Sequence, residues 1–460
     1  MSHATPFRYL PRGNTLRAVL SHFMLCSVFV ACSGGSDGSP LRPGSGLTAG
    51  AGNTAGTAGT TGAAGTTSTA GTTNNAGTTG NAGTAGATSG AGTTNNAGTT
   101  GAAGANGAVL PCDDLPPAGM WQDVTPPGMS EKPAVNGTVG AAILVDPFDA
   151  RTVWLGTGGE NDEIWRSNDC GATWDQINTG AGGVGDGMTT GGVGDGAQWS
   201  MQIDPVDPGV LYAVSGYGAQ GLWKTIDGGT SWVDILAGTE YAQVADYRFV
   251  NNVSLDPTDH LHLVVSTHGA CQPPYDPSCI AETSDGGDSW RIVTAPEGWV
   301  EGGGLIVVAG DLWIWCGTSL MVTTDGGETW VPDALVGGGS CEAEYTIRPF
   351  VPASNGKYYL GSRNGMLRSS DAITWEHIPD TNGFMVMVTQ GSEQVFAANQ
   401  WQPTLWSANL DDDDTWTEFE APAQIAQGSD GGIPFLAYDD AHHILFASMF
   451  SGGVARMVVP

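Results

Sequence analysis

Residues Thr225–Trp232 read TIDGGTSW, and the phrase returns as SNDCGATW at Ser167–Trp174, TSDGGDSW at Thr283–Trp290 and TTDGGETW at Thr323–Trp330. A worn copy one residue shorter, SSDAITW, occupies Ser369–Trp375. Recurrence of this kind marks a repeat architecture, so the fold is read from the repeat. The phrase has a local logic. Its Asp accepts hydrogen bonds from its own turn, its Gly residues tolerate positive φ, and its Trp brings a large apolar body to the gap between neighbouring sheets. A tight hairpin follows, with Asp169, Asp227, Asp285 and Asp325 as turn formers rather than catalytic carboxylates.

A second phrase precedes the first: an alternating apolar strand ending in Asp-Pro, then a short strand. Examples are Ile143–Pro147 before Val153–Gly156, Met201–Pro205 before Leu211–Ala213, and Val253–Pro257 before Leu263–Val265. Strand, turn, strand, loop, strand, hairpin, strand is one four-stranded antiparallel unit. The hairpin phrase resembles the Asp-box, or BNR, repeat of sialidases, the sortilin ectodomain and xyloglucanases. That resemblance implies an all-β fold, a β-propeller in which the box joins the third and fourth strands of a blade on the face opposite the binding site.

Inner strands then begin near Val139, Trp199, Val253, Leu305, Tyr345, Val386 and Pro434, giving a seven-bladed propeller over residues 109–460. The last blade reaches Pro460 after three strands, with Gly453–Val459 in third place. Met120–Pro126 (MWQDVTP) reads like the fourth strand Ser231–Ile235 (SWVDI) and is expected to complete that blade, which removes an exposed edge.

The front of the chain has another character. All 16 Trp lie at or beyond Trp121, and Gly50–Ala108 contains only Gly, Ala, Thr, Asn and Ser. Such a segment cannot bury enough apolar area to offset the entropy of ordering, so residues 32–108 read as a flexible stalk of roughly 40 to 45 Å for its low-complexity part. Before it, Arg8, Arg12 and Arg17 precede an apolar stretch from Ala18 to Ala31, too short to span a bilayer, and residues 1–31 read as an export signal. FVACSGG at Phe29–Gly35 resembles the bacterial lipoprotein signal, which implies a lipidated Cys32, export, and anchoring to an outer membrane. Phe29 departs from the usual Leu. An ordinary signal peptide with an incidental Cys is the alternative.

Beyond Cys112 the chain carries 11 basic and 46 acidic residues, a net charge near -35. That field repels phosphate backbones, so nucleic acid and anionic membrane surfaces are not expected partners. Contact with a membrane is expected through the lipid alone, and the domain as a monomer. Six cysteines remain in an exported chain, which suits a disulfide set. On the ring, Cys112 is expected to pair with Cys170, Cys271 with Cys279, and Cys316 with Cys341. No CxxC or His pair has metal-ligand spacing, and His442-His443 is a lone doublet in a turn. Neither metal nor cofactor is expected.

Ligand contacts are expected on the loops opposite the Asp turns. Arg166, Lys224, Arg368 and Arg456 share one repeat position and are structural by symmetry, whereas the repeat does not explain Arg248, Arg348 and Arg363. Arg248 and Arg363, with Trp299 or Trp401, form the candidate ligand-binding set. Sialidases need an Arg-Ile-Pro motif before the first box, and the domain offers there, apart from Arg166 just beside the box, only Arg151 in a turn; they also have six blades. Xyloglucanases share the seven-bladed ring but place their cleft between two propellers. A single-ring hydrolase would need two carboxyls about 5 to 10 Å apart, with Asp195, Glu301, Glu344 and Asp430 as candidates. The preferred reading is a binding propeller for an extracellular glycan or protein segment; the alternative is a xyloglucanase-like or sialidase-like glycoside hydrolase.

Overall fold

A computed structural model describes residues 112, 114–129, 140–157, 163–183, 192–216, 221–242, 250–268, 279–299, 304–317, 319–332, 334–336, 341, 348–383, 385, 387–423, 432–433, 435–449 and 453–460. Signal, stalk and Cys32 lie outside the described residues. The first strand, β1 (Trp121–Asp123), belongs to the last of seven sheets. Blade 1 is β2 (Gly140–Val145), β3 (Val153–Thr157), β4 (Ile164–Ser167) and β5 (Asp175–Gln176). Blade 2 is β6 (Met201–Ile203), β7 (Leu211–Ser215), β8 (Gly221–Thr225) and β9 (Val233–Asp234). Blade 3 is β10 (Val250–Asp256), β11 (Asp259–Thr267), β12 (Ile280–Thr283) and β13 (Arg291–Val293).

Blade 4 shows β14 (Leu305–Ala309), β15 (Leu312–Cys316) and β16 (Leu320–Thr323), with a single bridge from Val322 to Val331 where a fourth strand would lie. Blade 5 shows β17 (Tyr358–Ser362), β18 (Gly365–Ser369) and β19 (Glu376–His377); the inner strand expected near Tyr345 lies outside the described residues. Blade 6 is β20 (Met387–Gln390), β21 (Gln394–Ala398), β22 (Thr404–Asn409) and β23 (Asp412–Glu420). Blade 7 is β24 (Phe435–Asp439), β25 (Ile444–Met449) and β26 (Gly453–Val458), with β1 as its fourth strand. The architecture is a seven-bladed β-propeller closed by its N-terminal strand. One boundary moved: β10 starts at Val250, three residues before Val253, because Val250 pairs with Thr267 across an irregularity in the ladder.

Each blade is covered on both faces by its neighbours, so second strands are mostly apolar rather than alternating; β3 and β7 are buried at every position. Polar side chains on the inner strands tie one blade to the next. The Ser200 hydroxyl accepts from the Val253 amide at 3.1 Å, Asn252 donates to the Leu305 carbonyl at 2.7 Å, and the Ser254 hydroxyl accepts from the Val307 amide at 2.8 Å.

The closing seam is tied several times. β1 runs antiparallel to β26 with Trp121 opposite Met457, Gln122 opposite Arg456 and Asp123 opposite Ala455. The Val124 amide then donates to the Val454 carbonyl at 2.9 Å, while the Val124 carbonyl accepts the Trp174 indole N–H at 2.7 Å. Cys112 and Cys170 are disulfide-bonded with Cα atoms 5.8 Å apart. Cys316 and Cys341 are bonded likewise, Cα–Cα 5.3 Å, and Cys279 is disulfide-bonded while Cys271 lies outside the described residues.

The repeated turns follow one hydrogen-bond scheme. In each of the four full copies the Asp accepts, on one oxygen, from the hydroxyl two residues before it and the amide four residues after it. Its other oxygen accepts from the hydroxyl of that later residue at 2.6 Å: Asp169 from Thr173, Asp227 from Ser231, Asp285 from Ser289 and Asp325 from Thr329. The two residues after the Asp take positive φ in every copy, 67° and 87° at Gly228 and Gly229. Cys170 does so at 62° and, in the worn copy, Ala372 at 57°, where a Cβ costs about 1 kcal/mol or more. At Cys170 the disulfide holds that conformation; at Ala372 the Asp371 carboxylate does, accepting from the Ile373 and Thr374 amides.

Candidate functional site

The face opposite the repeated turns is formed by loops between second and third strands and between blades. Of the expected contact residues, Arg363 and Trp401 are described there, both in turns between second and third strands. Arg363 is exposed between β17 and β18, in a turn braced by the Ser362 hydroxyl, which donates to the Gly365 carbonyl at 2.7 Å and accepts from the Asn364 amide. Trp401 is 55% exposed between β21 and β22, and its amide and that of Gln402 donate to the Asn399 side-chain oxygen. Its indole thus projects from a turn fixed at its base.

Trp299 sits on the approach to β14 but is only 5% exposed, stacked on Trp315 of β15 at 5.0 Å between ring centroids. Its ring face is used inside the blade, and neither indole N–H of the pair has a hydrogen-bond partner among the described residues. Arg348 donates to the Val388 carbonyl at 3.5 Å. Asp195 falls in a 3-10 turn, Val193–Asp195, ahead of β6. Arg248, Glu301, Glu344 and Asp430 lie outside the described residues.

One feature of this face was missed in the sequence. The loop-end residue of the second strand is Thr157, Ser215, Thr267, Cys316 and Ser362 in β3, β7, β11, β15 and β17, and Ser448 is the last but one of β25. The Ser215, Thr267 and Ser448 hydroxyls are buried and have no hydrogen-bond partner among the described residues. The signal was present in the aligned second strands. The Trp199 and Phe435 rings lie 6.3 Å apart between centroids.

The strongly perturbed acids and bases lie instead toward the repeated turns. Burial alone would lower the His262 imidazole, but hydrogen bonds to Asp256 at 2.8 Å and Glu282 at 3.0 Å outweigh it and raise it to about 9. Asp256 is likewise pushed up by burial, yet His262, Thr258 and the Gly310 amide bring it down to about 2. Glu282 also binds Arg291, whose guanidinium reaches Glu328 and the Gly326 carbonyl of the next blade. A second network joins blades 5 and 6, where Asp413 accepts from Lys357, Tyr359 and Arg368. These are inter-blade clamps in which the charges are taken up by their neighbours.

The shared third-strand position is structural as expected. Arg166 lies 5.4 Å over Trp154 and Lys224 5.3 Å over Tyr212, each its cross-strand partner. Asp285 and Asp325 are held at about 2, chiefly by the hydroxyls of Ser289 and Thr329. Carboxylates so bound stay ionised and cannot act as general acids near neutrality.

No protein-family model matches the chain. A xyloglucanase of Paenibacillus sp is 24% identical over 246 residues, a match covering 46% of this chain and 22% of that protein, so the chain spans about a fifth of that relative's length. Among solved structures, YCF48 bound to D1 peptide is 16% identical with a TM-score of 0.48, covering 76% of this chain and 100% of that one. The GH74 xyloglucanase of Xanthomonas campestris is 15% identical with a TM-score of 0.49, covering 74% of this chain and 54% of that one.

Proposed function

We propose that the chain is an exported Asp-box propeller, anchored through a lipidated Cys32 and carried on the 32–108 stalk, that binds a neutral polysaccharide on the face opposite its repeated turns. The carrying observation is the Trp401 indole, 55% exposed in a turn pinned by Asn399, on that face. A flat aromatic surface held rigidly stacks on the apolar face of a sugar ring at little entropic cost. The similarity to a xyloglucanase over part of the chain makes xyloglucan the first ligand to test. That similarity also favours a second reading, hydrolysis, in which two of Asp195, Glu301, Glu344 and Asp430 would act as acid and base across the mouth. Domain charge argues against polyanionic ligands in both readings.

Retention of the full chain by xyloglucan without release of reducing ends supports binding. Release of reducing ends that one of Asp195→Asn, Glu301→Gln, Glu344→Gln or Asp430→Asn abolishes supports hydrolysis. Neither retention nor release on any neutral glycan overturns both.

A further inference from the structure

The seam between blades 2 and 3, toward the repeated turns, holds polar atoms that the repeat leaves unsatisfied. In blade 1 the aromatic at the second position of the second strand, Trp154, donates its indole N–H to Asp146 at 3.0 Å, and in blade 5 the equivalent Tyr359 donates to Asp413 at 2.7 Å. Tyr212 is the same position in blade 2. It is fully buried, yet its hydroxyl has no partner among the described residues. Burial pushes that hydroxyl's pKa up, and the charges of Asp204, Asp207 and Asp288 push it further. Gln202, opposite Tyr212 across the β6–β7 ladder, is also fully buried, and neither its amide nitrogen nor its oxygen has a partner among the described residues. Side chains two apart on a strand, or directly opposite, share a face, so Gln202, Tyr212 and Asp204 share one. Buried polar groups are nearly always satisfied, and three orphaned atoms in one seam point to a missing occupant.

The occupant's ligands are at hand. Asp204 gives one oxygen to the Val206 and Asp207 amides at 2.8 and 2.9 Å, which fixes the carboxylate and leaves the other facing His260 of blade 3. His260 Nδ1 lies 2.9 Å from that oxygen and 3.9 Å from a carboxylate oxygen of Asp207, and the three ligand atoms are within 4.8 Å of one another. Bonds of about 2.1 Å in a tetrahedral site separate neighbouring ligand atoms by about 3.4 Å, midway between the two spacings. Sequence spacing concealed this set because its members come from two blades. The other cluster of ligating residues, Cys112, Cys170, Asp439 and His442, has its sulfurs committed to a disulfide.

We propose that this seam binds one divalent transition-metal ion, with Zn2+ the best match, through His260 Nδ1 and one oxygen each of Asp204 and Asp207, water completing the site. One nitrogen with two carboxylate oxygens suits zinc better than magnesium or calcium, which prefer all-oxygen sets. Tyr212 and Gln202 then supply hydrogen-bonding atoms for bound water, and the ion neutralises two carboxylates held close together in an acidic domain.

The test is equilibrium dialysis and calorimetry of the chelator-stripped, disulfide-intact full chain with Zn2+. One Zn2+ per chain is expected, with a higher melting temperature. Asp207→Asn, at a side chain 62% exposed and safe for folding, should weaken binding about tenfold or more, His260→Gln should abolish it, and His442→Gln should leave it unchanged. A chain that retains no stoichiometric Zn2+, or one whose binding survives Asp207→Asn and is lost with His442→Gln, overturns the proposal.

Discussion

Replacing Arg456 by Met separates a structural role in ring closure from one in the repeat. Arg456 is fully buried at the seam, where it donates to the Gln122 side chain at 2.9 Å, the Cys170 carbonyl at 2.6 Å and the Asp114 carbonyl at 2.9 Å. Its three acceptors sit on β1, on the first repeated turn and on the segment leading into β1, so one side chain ties the two ends of the ring. Hydrogen bonds from a charged donor contribute about 1.5–3 kcal/mol each, and desolvating the guanidinium offsets part of that sum. Methionine keeps the apolar stem but leaves the buried Cys170 carbonyl without its donor and removes the bonds to Gln122 and Asp114, and the expected loss is about 3–5 kcal/mol. Arg166 holds the same repeat position in blade 1 and rests over Trp154, an arrangement with a value of about 0.5–1 kcal/mol. Urea unfolding followed by Trp fluorescence should show a large fall in midpoint for Arg456→Met and a small one for Arg166→Met, both with the disulfides intact. Equal shifts would refute the claim that closure depends on this contact.

Removing the Cys112–Cys170 bond with Cys112→Ser opens a sequence separation of 58 residues, for which chain entropy gives a loss of about 4 kcal/mol; non-reducing peptide mapping checks the pairing and melting the cost. His262 is raised from 6.5 to about 9 in the fold, so its contribution to stability is fully present below 6.5 and disappears as pH climbs through 9. Stability measured from pH 6 to 10 should fall over that window, and His262→Gln should flatten the fall. Ser289→Ala removes the strongest bond holding Asp285 at about 2, and NMR titration should find its pKa moved toward 3.8.

The repeat was legible because its chemistry is local: an Asp, two positive-φ residues and a hydroxyl four residues on satisfy one another within a single turn. The closing strand was legible because Trp121–Val124 imitates the fourth strand of another blade. What escaped the sequence is held together across blades. Arg291 reaches Glu328 thirty-seven residues on, and Arg368 meets Asp413 forty-five residues away. Such partners follow only once the ring has set neighbouring blades in contact. Trp299 shows the converse limit: an aromatic in a loop reads as a ligand contact until Trp315 is found stacked on it.

Affinity electrophoresis of the full chain through gels containing xyloglucan tests the binding claim most directly. Wild type and Asp285→Ala, altered on the opposite face, should be retarded alike, while Trp401→Ala should migrate as in a gel without polysaccharide. Equal retardation of all three, or none of wild type, would contradict the assignment of the Trp401 face as the ligand surface.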